Sequence, residues 1–212
     1  MAVICPTVLA HEPHEFREQI ERLAPFAERI HIDLADGVFT TNKLIELSHI
    51  WWPEKLTVDL HIMYESARPF IPEIIKRLPH LVIVHAESSG NYYDVMRPLK
   101  AAGIKTGVAL LQTTPVTSIS PALKDIDHIL VFSGDLGHFG GKADLNLLTK
   151  VREIRALSKD VEIGWDGGLT IQNAKQVVTA GVNVLNVGSA IQQADDPQDA
   201  YDKLMGVIQE AL

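Results

Sequence analysis

The chain has 212 residues, 46% of them hydrophobic, with 19 basic against 27 acidic side chains and a formal net charge of −8. Nothing in that balance points to a nucleic-acid or acidic-membrane surface, and no apolar run reaches the ~18–20 residues of a membrane span. One cysteine, Cys5, excludes an internal disulfide framework and reads as a small apolar strand residue. With no basic stretch ahead of the apolar residues of MAVICPTVLAHEP, the expected location is cytoplasmic.

Eight short runs rich in Val, Ile and Leu follow one another at about residues 2–9, 29–35, 56–63, 81–86, 105–111, 128–133, 161–166 and 182–188, each a strand candidate. After the first, Phe16, Ile20 and Leu23 recur at i, i+4, i+7, the pattern of one buried helical face. Gly103 in KAAGIKTGVAL stops a helix and opens the fifth strand. Leu145, Leu148, Val151 and Ile154 repeat in three-residue steps ahead of the seventh. Thr170 is the expected N-cap of a helix over IQNAKQVVTA, with Gly181 as its C-terminal stop. No linker, low-complexity stretch or charge block interrupts the series, so residues 1–212 are expected to form one domain. Near-continuous apolar strands alternating with helices predict a parallel sheet, and eight units predict an α/β (β/α)8 TIM barrel. An open doubly wound sheet is the alternative, but no G-x-G-x-x-G follows the first strand.

Strand side chains alternate between faces. In RIHIDLADGVF, Ile30, Ile32 and Leu34 face the helices, which sends His31, Asp33 and Ala35 inward toward the C-terminal mouth, where barrel active sites sit. The same parity turns Thr57, Asp59, His61 and Met63 inward in LTVDLHIM, and Glu162, Gly164 and Asp166 in VEIGWDGG. Each polar residue alone would be explained by a hydrogen bond or by solvent. Together, His31, Asp33, His61 and Asp166 form a set of two nitrogens and two carboxylates suited to one divalent ion: Zn²⁺, Fe²⁺, Mn²⁺ or Co²⁺. His85 is also predicted inward, behind that set. Asp36 falls outside it by parity and reads as a turn residue. His11, His14, His49, His80, His128 and His138 receive no metal role and solvated positions.

Glycines cluster after strands six, seven and eight, in GDLGHFGGK, DGGLT and NVGSA. Backbone amides at such turns bind phosphate without basic side chains, and the loops after strands seven and eight are the usual phosphate site of such barrels. An acidic protein can thus hold a small sugar phosphate.

In order along the chain, P-T-V-L, H-I-D-L-A-D-G-V-F-T-T-N, D-L-H-I-M, V-H-A-E, G-V-A-L, F-G-G, D-G-G and G-S-A-I resemble the ribulose-phosphate 3-epimerase family, over about residues 3–192. The resemblance implies that His31, Asp33, His61 and Asp166 hold the metal and that Asp33 and Asp166 are the catalytic acid/base pair. It places Thr7 where the family has a substrate-contacting serine, and His61 and Met63 in the pocket. Phe139, Gly140, Gly141, Gly167, Gly168, Gly188 and Ser189 fall on the phosphate-contacting turns. The implied reaction is C3 epimerisation of D-ribulose 5-phosphate to D-xylulose 5-phosphate through an enediolate, with Asp33 the base for one epimer and Asp166 for the other. A homo-oligomer is implied as well, for which Trp51 and Trp52 could supply apolar surface.

The chain also departs from the family. Ala35 and Phe132 stand where the family has methionines, leaving Met63 of that lining. Leu111-Gln112 replaces N-P, Ala10-His11-Glu12 replaces S-A-D/N, and the lid loop GDLGHFGG is one residue longer. These changes touch the pocket wall and lid more than the metal set, and Ala35 opens room that a larger substrate, or Phe132, can fill, so a related ketose phosphate such as allulose 6-phosphate stands as the alternative substrate. Barrels that decarboxylate or aldol-condense sugar phosphates resemble D-x-K-x-x-D on strand two; here Asp33-Leu34-Ala35-Asp36 lacks the lysine. A non-catalytic sugar-phosphate-binding homologue is the remaining reading, and it would be expected to lose a member of the four-residue set.

Overall fold

Strands Val3–Val8 (β1), Arg29–Ala35 (β2), Thr57–Met63 (β3), Leu81–His85 (β4), Lys105–Leu110 (β5), His128–Phe132 (β6), Glu162–Asp166 (β7) and Val184–Val187 (β8) pair in parallel with their sequence neighbours, and β8 returns to β1. The result is a closed eight-stranded barrel in this computed structural model, which describes residues 2–211. Around it run Pro13–Leu23 (α1), Ile71–Arg77 (α2), Tyr92–Ala101 (α3), Leu148–Leu157 (α4), Ala174–Thr179 (α5), Ser189–Gln192 (α6) and Pro197–Gln209 (α7). The β5–β6 crossover carries only a 3₁₀ stretch, Val116–Ala122. Pro121 lies inside it and has no N–H to continue a helix. No helix among the described residues is long and apolar enough to cross a membrane.

The alternation expected from sequence holds on each strand that carries a site residue. Ile30, Ile32, Leu34, Val58, Leu60 and Ile62 join one core with Phe16, Ile20, Leu23, Val151 and Ile154 of the helices. Inside the barrel, Leu81, Ile83, Ala109 and Leu130 form a separate apolar plug. Gly103 and Gly181 take left-handed backbone after α3 and α5, as their stop roles require. Thr170 is not an N-cap: α5 begins at Ala174, and its N-cap position is held by Asn173. The carbonyl of Thr170 accepts from the Asn173 and Ala174 amides while Asn173 Oδ1 accepts from the Thr170 amide, so these residues close a turn before the helix.

Charge is concentrated at the barrel floor. Arg29 donates through Nε to Asp59 (2.8 Å) and through both terminal nitrogens to Glu162 (2.9 and 2.8 Å). His128, expected in solvent, is instead buried, with Nδ1 2.8 Å from Glu162 Oε2. Gly164 makes room for it, since a Cβ there would lie 2.5 Å from His128 Nε2. Burial works to raise the Glu162 carboxyl, but the hydrogen bonds from Arg29 and His128 outweigh it and hold the group well below the usual carboxylate range. Its contribution is therefore present above about pH 4.5, where the unfolded side chain titrates, and is lost as pH falls toward the depressed native value. Glu162→Gln should lose about 1–2 kcal/mol at pH 7, allowing for partial exposure. Its thermal midpoint should converge on that of the unmodified protein as pH drops below 4; a constant gap would place the effect elsewhere.

Candidate metal centre and substrate pocket

β2 supplies His31 and Asp33, β3 supplies His61 opposite Asp33, and β7 supplies Asp166. Their donor atoms lie within 4.8 Å of one another and all four residues are buried. Asp33 Oδ1 is 2.8 Å from His61 Nδ1 and 3.2 Å from His31 Nε2; Asp166 Oδ2 is 3.7 and 3.6 Å from the same nitrogens. Ligands bonded to one ion at ~2.0–2.2 Å are separated by ~3–4 Å, the spacing found here. Neither ring nitrogen of His31 has a hydrogen-bond partner among the described residues, although the side chain has no exposure. A buried group left this way costs about 1–3 kcal/mol unless a ligand takes its lone pair.

A chain of contacts behind His61 points to the same conclusion. His61 Nε2 is 2.8 Å from His85 Nε2, and His85 Nδ1 is 3.3 Å from Glu87 Oε2. Glu87 accepts from the Leu111 amide at 3.0 Å, and Lys150 Nζ donates to the Leu111 and Thr114 carbonyls at 2.6 and 2.5 Å. Because the carboxylate can only accept, neutral rings put the proton of His85 on Nδ1 and that of His61 on Nε2. The bare lone pair of His61 Nδ1 then faces Asp33 Oδ1. Protonating His61 would relieve that clash, but burial pulls this imidazole down to about 4 against the attraction of Asp33. A cation between nitrogen and oxygen relieves it without a proton, so the residues present fit a divalent metal. His85 lies where sequence placed it. Glu87 and Lys150 went unread there, although Glu87 shares the parity of His85.

The two carboxylates differ electrostatically. Burial, reinforced by the charge of Asp33, raises Asp166 well above the ordinary aspartate value. For Asp33, burial also acts upward, but the imidazoles of His31 and His61 beside it prevail and lower it. Without an ion between them, the two carboxylates thus shift in opposite directions.

Asp33 and Asp166 of that set share one cavity with Thr7, Phe139, Gly140, Gly167, Gly168, Asn186, Gly188 and Ser189, whereas His61, expected in the pocket, does not line it. Met63 and Gly141 do not line it; Met63 packs instead with Leu9, Ala35 and Leu44. A Cβ on Gly167 or Gly168 would collide with the backbone of Gly134 or Ala143, so the β7 turn packs against the lid as bare peptide. The cavity measures only about 40 Å³. That is room for a few waters at ~10–15 Å³ each, and far too little for a ketose phosphate. Phe139 closes it: a Cβ on Gly188 would lie 2.8 Å from the Phe139 ring. A second cavity of about 520 Å³, lined by His11, Arg22, Asn42 and His138, also borders Phe139. Thr40 Oγ1 donates to the Leu136 carbonyl (2.9 Å) and Asn42 Nδ2 to that of Gly137 (3.0 Å), pinning the lid over residues 134–141. Asp36 stabilises a turn as expected, accepting from the Val38, Phe39 and Glu65 amides.

Residues 3–192 match the model of the ribulose-phosphate 3 epimerase family. The chain belongs to that family. Relatives named ribulose-phosphate 3-epimerase include those of Bacillus subtilis, 29% identical over 97% of this chain and 99% of theirs, and of Aquifex aeolicus, 29% identical over 100% and 99%. Among solved structures, 3-hexulose-6-phosphate synthase from Salmonella typhimurium superposes with a TM-score of 0.72 at 16% identity, covering 99% of this chain and 100% of that one. Orotidine 5′-phosphate decarboxylase from Pyrococcus horikoshii OT3 gives 0.68 at 14%, covering 98% and 99%. At such identities these two share the barrel only. Family membership makes the protein a sugar-phosphate epimerase.

Calorimetric titration of metal-stripped epimerase with Zn²⁺ or Mn²⁺ should give one site per chain. His61→Asn should abolish it, and His85→Leu, which removes only the supporting ring, should weaken it about 10–100-fold. Unchanged affinity in His85→Leu would separate His85 from the centre.

Proposed function

We propose that this epimerase inverts C3 of a ketose phosphate, interconverting D-ribulose 5-phosphate and D-xylulose 5-phosphate, with one divalent ion held by His31, Asp33, His61 and Asp166. The observation that carries this reading is the meeting of two carboxylates from separate strands, Asp33 and Asp166, with His31 and His61 beside glycine-rich turns at one cavity. The phosphate is taken by backbone amides at Gly140, Gly167–Gly168 and Gly188–Ser189, where no Lys or Arg is needed. When bound, the metal polarises the ketose oxygens and so acidifies the C3 hydrogen. Asp33 removes that proton, the C–H electron pair moves toward the C2 carbonyl, and an enediolate remains. Asp166 gives its proton to C3 from the opposite side and inverts the centre. The reverse reaction exchanges the two roles.

Ala35 does not open the closed pocket to a longer ketose. It is 2% exposed within the cluster of Leu9, Leu44 and Met63, on which Phe39, Leu136 and Phe139 pack. Phe132 lies elsewhere, its ring centroid 6.0 Å from His61 and 6.1 Å from His85. The five-carbon substrate therefore stands ahead of allulose 6-phosphate. Thr7, on β1 within the same cavity, is assigned to substrate contact, and Met63 to the wall behind Ala35.

Incubating metal-loaded protein in deuterated water with a panel of ketose phosphates should label C3 of ribulose 5-phosphate and xylulose 5-phosphate. Asp33→Asn, checked for retained metal, should lower both exchange and turnover by about 10³-fold or more. Turnover at the unmodified rate would remove Asp33 from the mechanism.

A further inference from the structure

Asn186 is the one inward polar side chain of β8, and the proton transfers leave it without a task. Alternation places Val184, Asn186 and Gly188 toward the barrel interior, while Leu185 and Val187 join the core beneath the helices. Asn186 lies in register with Asp166 on β7 and Cys5 on β1. It is 2% exposed, and neither its amide oxygen nor its amide nitrogen has a hydrogen-bond partner among the described residues. Because both atoms are free, exchanging O and N by a flip changes nothing. Thr7, 3% exposed, has an unpartnered Oγ1 too, and both side chains line the cavity that holds Asp33 and Asp166. Buried amides are nearly always satisfied, so one left open on both atoms calls for a partner that arrives with the ligand.

We propose that Asn186, with Thr7 beside it, forms a hydroxyl-reading subsite that selects ketose phosphates bearing a hydroxyl on C4. This rests on the reading that the cavity takes a ketose phosphate. Asn186 stands between the carboxylate of Asp166, its neighbour in register, and the turn at Gly188–Ser189, two residues further along its own strand. In a pentulose 5-phosphate, C4 with its hydroxyl and the C5 methylene connect the reacting C3 to the phosphate. With C3 at Asp33 and Asp166 and the phosphate at the β8 turn, the C4 hydroxyl is the polar group that passes Asn186. A hydroxyl both donates and accepts, so it can donate to the amide oxygen while accepting from Thr7, or accept from the amide nitrogen while donating to Thr7. A site built around such a hydroxyl rejects the analogue lacking it, because its own buried polar groups then stay unpaired.

The test compares ribulose 5-phosphate with its 4-deoxy analogue, in the metal-loaded unmodified protein and in Asn186→Leu, which keeps the side-chain size and removes both polar atoms. The unmodified protein should favour the hydroxylated substrate in kcat/KM by about 100-fold or more. Asn186→Leu should lose most of that preference by slowing on ribulose 5-phosphate alone, and its ligand-free thermal midpoint should stay level or rise, since an unsatisfied buried amide has been removed. Equal loss on both substrates, or a fall in the midpoint, would make Asn186 structural and overturn the assignment. Should the variant fail to fold, the unmodified protein decides alone: no preference for the hydroxylated substrate overturns the subsite and leaves the epimerase reading intact. Absence of C3 exchange with every ketose phosphate would overturn both.

Discussion

One contact organises the molecule: Asp33 Oδ1 facing His61 Nδ1 at 2.8 Å, with His31 Nε2 at 3.2 Å. All three residues lie in the strand layer, where an unpaired charge is costly by several kcal/mol. The chain accepts that cost because β2 and β3 run in strict register, Asp33 opposite His61, and the closed barrel carries Asp166 of β7 back to the same point. His85 and Glu87 then fix which nitrogen of His61 is bare. Every other feature of the mouth takes its meaning from that pre-set lone pair. A metal site assembled on strands is held more rigidly than one on loops, and rigidity is what two carboxylates need to address opposite sides of one carbon.

Much of this was legible in the chain because strand alternation is a strong rule and the relevant strands are unbroken. HIDLA, DLHIM and EIGWD each state their inward residues without ambiguity, and the four side chains of His31, Asp33, His61 and Asp166 come together as the parity required. Other inward residues carried the same signal and went unread. His128 opens HILVF on the parity of Leu130 and finds Glu162 on the neighbouring strand, yet a lone histidine at a strand start reads equally well as solvated. Asn186 is the one polar residue within VLNV, but nothing in sequence shows that its amide lacks partners. Thr170 misled because a threonine before a helical pattern resembles a cap, whereas Asn173 holds that position. The fate of the space at Ala35 is a long-range matter, settled by Phe39, Leu136 and Phe139, which packing brings in from two loops.

The lid belongs to the same economy of contacts. Phe139 fills the mouth over Gly188, and Thr40 and Asn42 hold the lid backbone from the loop after β2, the strand that carries His31 and Asp33. Phe139 borders both the small inner cavity and the larger one beside it. The wall that hydrogen-bonds the lid is thus continuous with the strand that carries His31 and Asp33, and Phe139 sets an apolar ring against the cavity of Asp33 and Asp166. Water exclusion strengthens the electrostatics on which proton removal depends. Barrels of very similar shape, such as 3-hexulose-6-phosphate synthase, reach 0.72 in TM-score at 16% identity, so shape alone says little about chemistry and the donor set says more.

The central claim is that the four converging side chains make one ion-binding centre through which the C3 hydrogen becomes exchangeable. The direct measurement is the rate of deuterium entry at C3 of ribulose 5-phosphate as a divalent ion is titrated into metal-stripped protein. The rate should be negligible in the stripped protein, rise in proportion to added ion and level off at one ion per chain. Full exchange in the stripped protein, or none at saturation, would contradict the account.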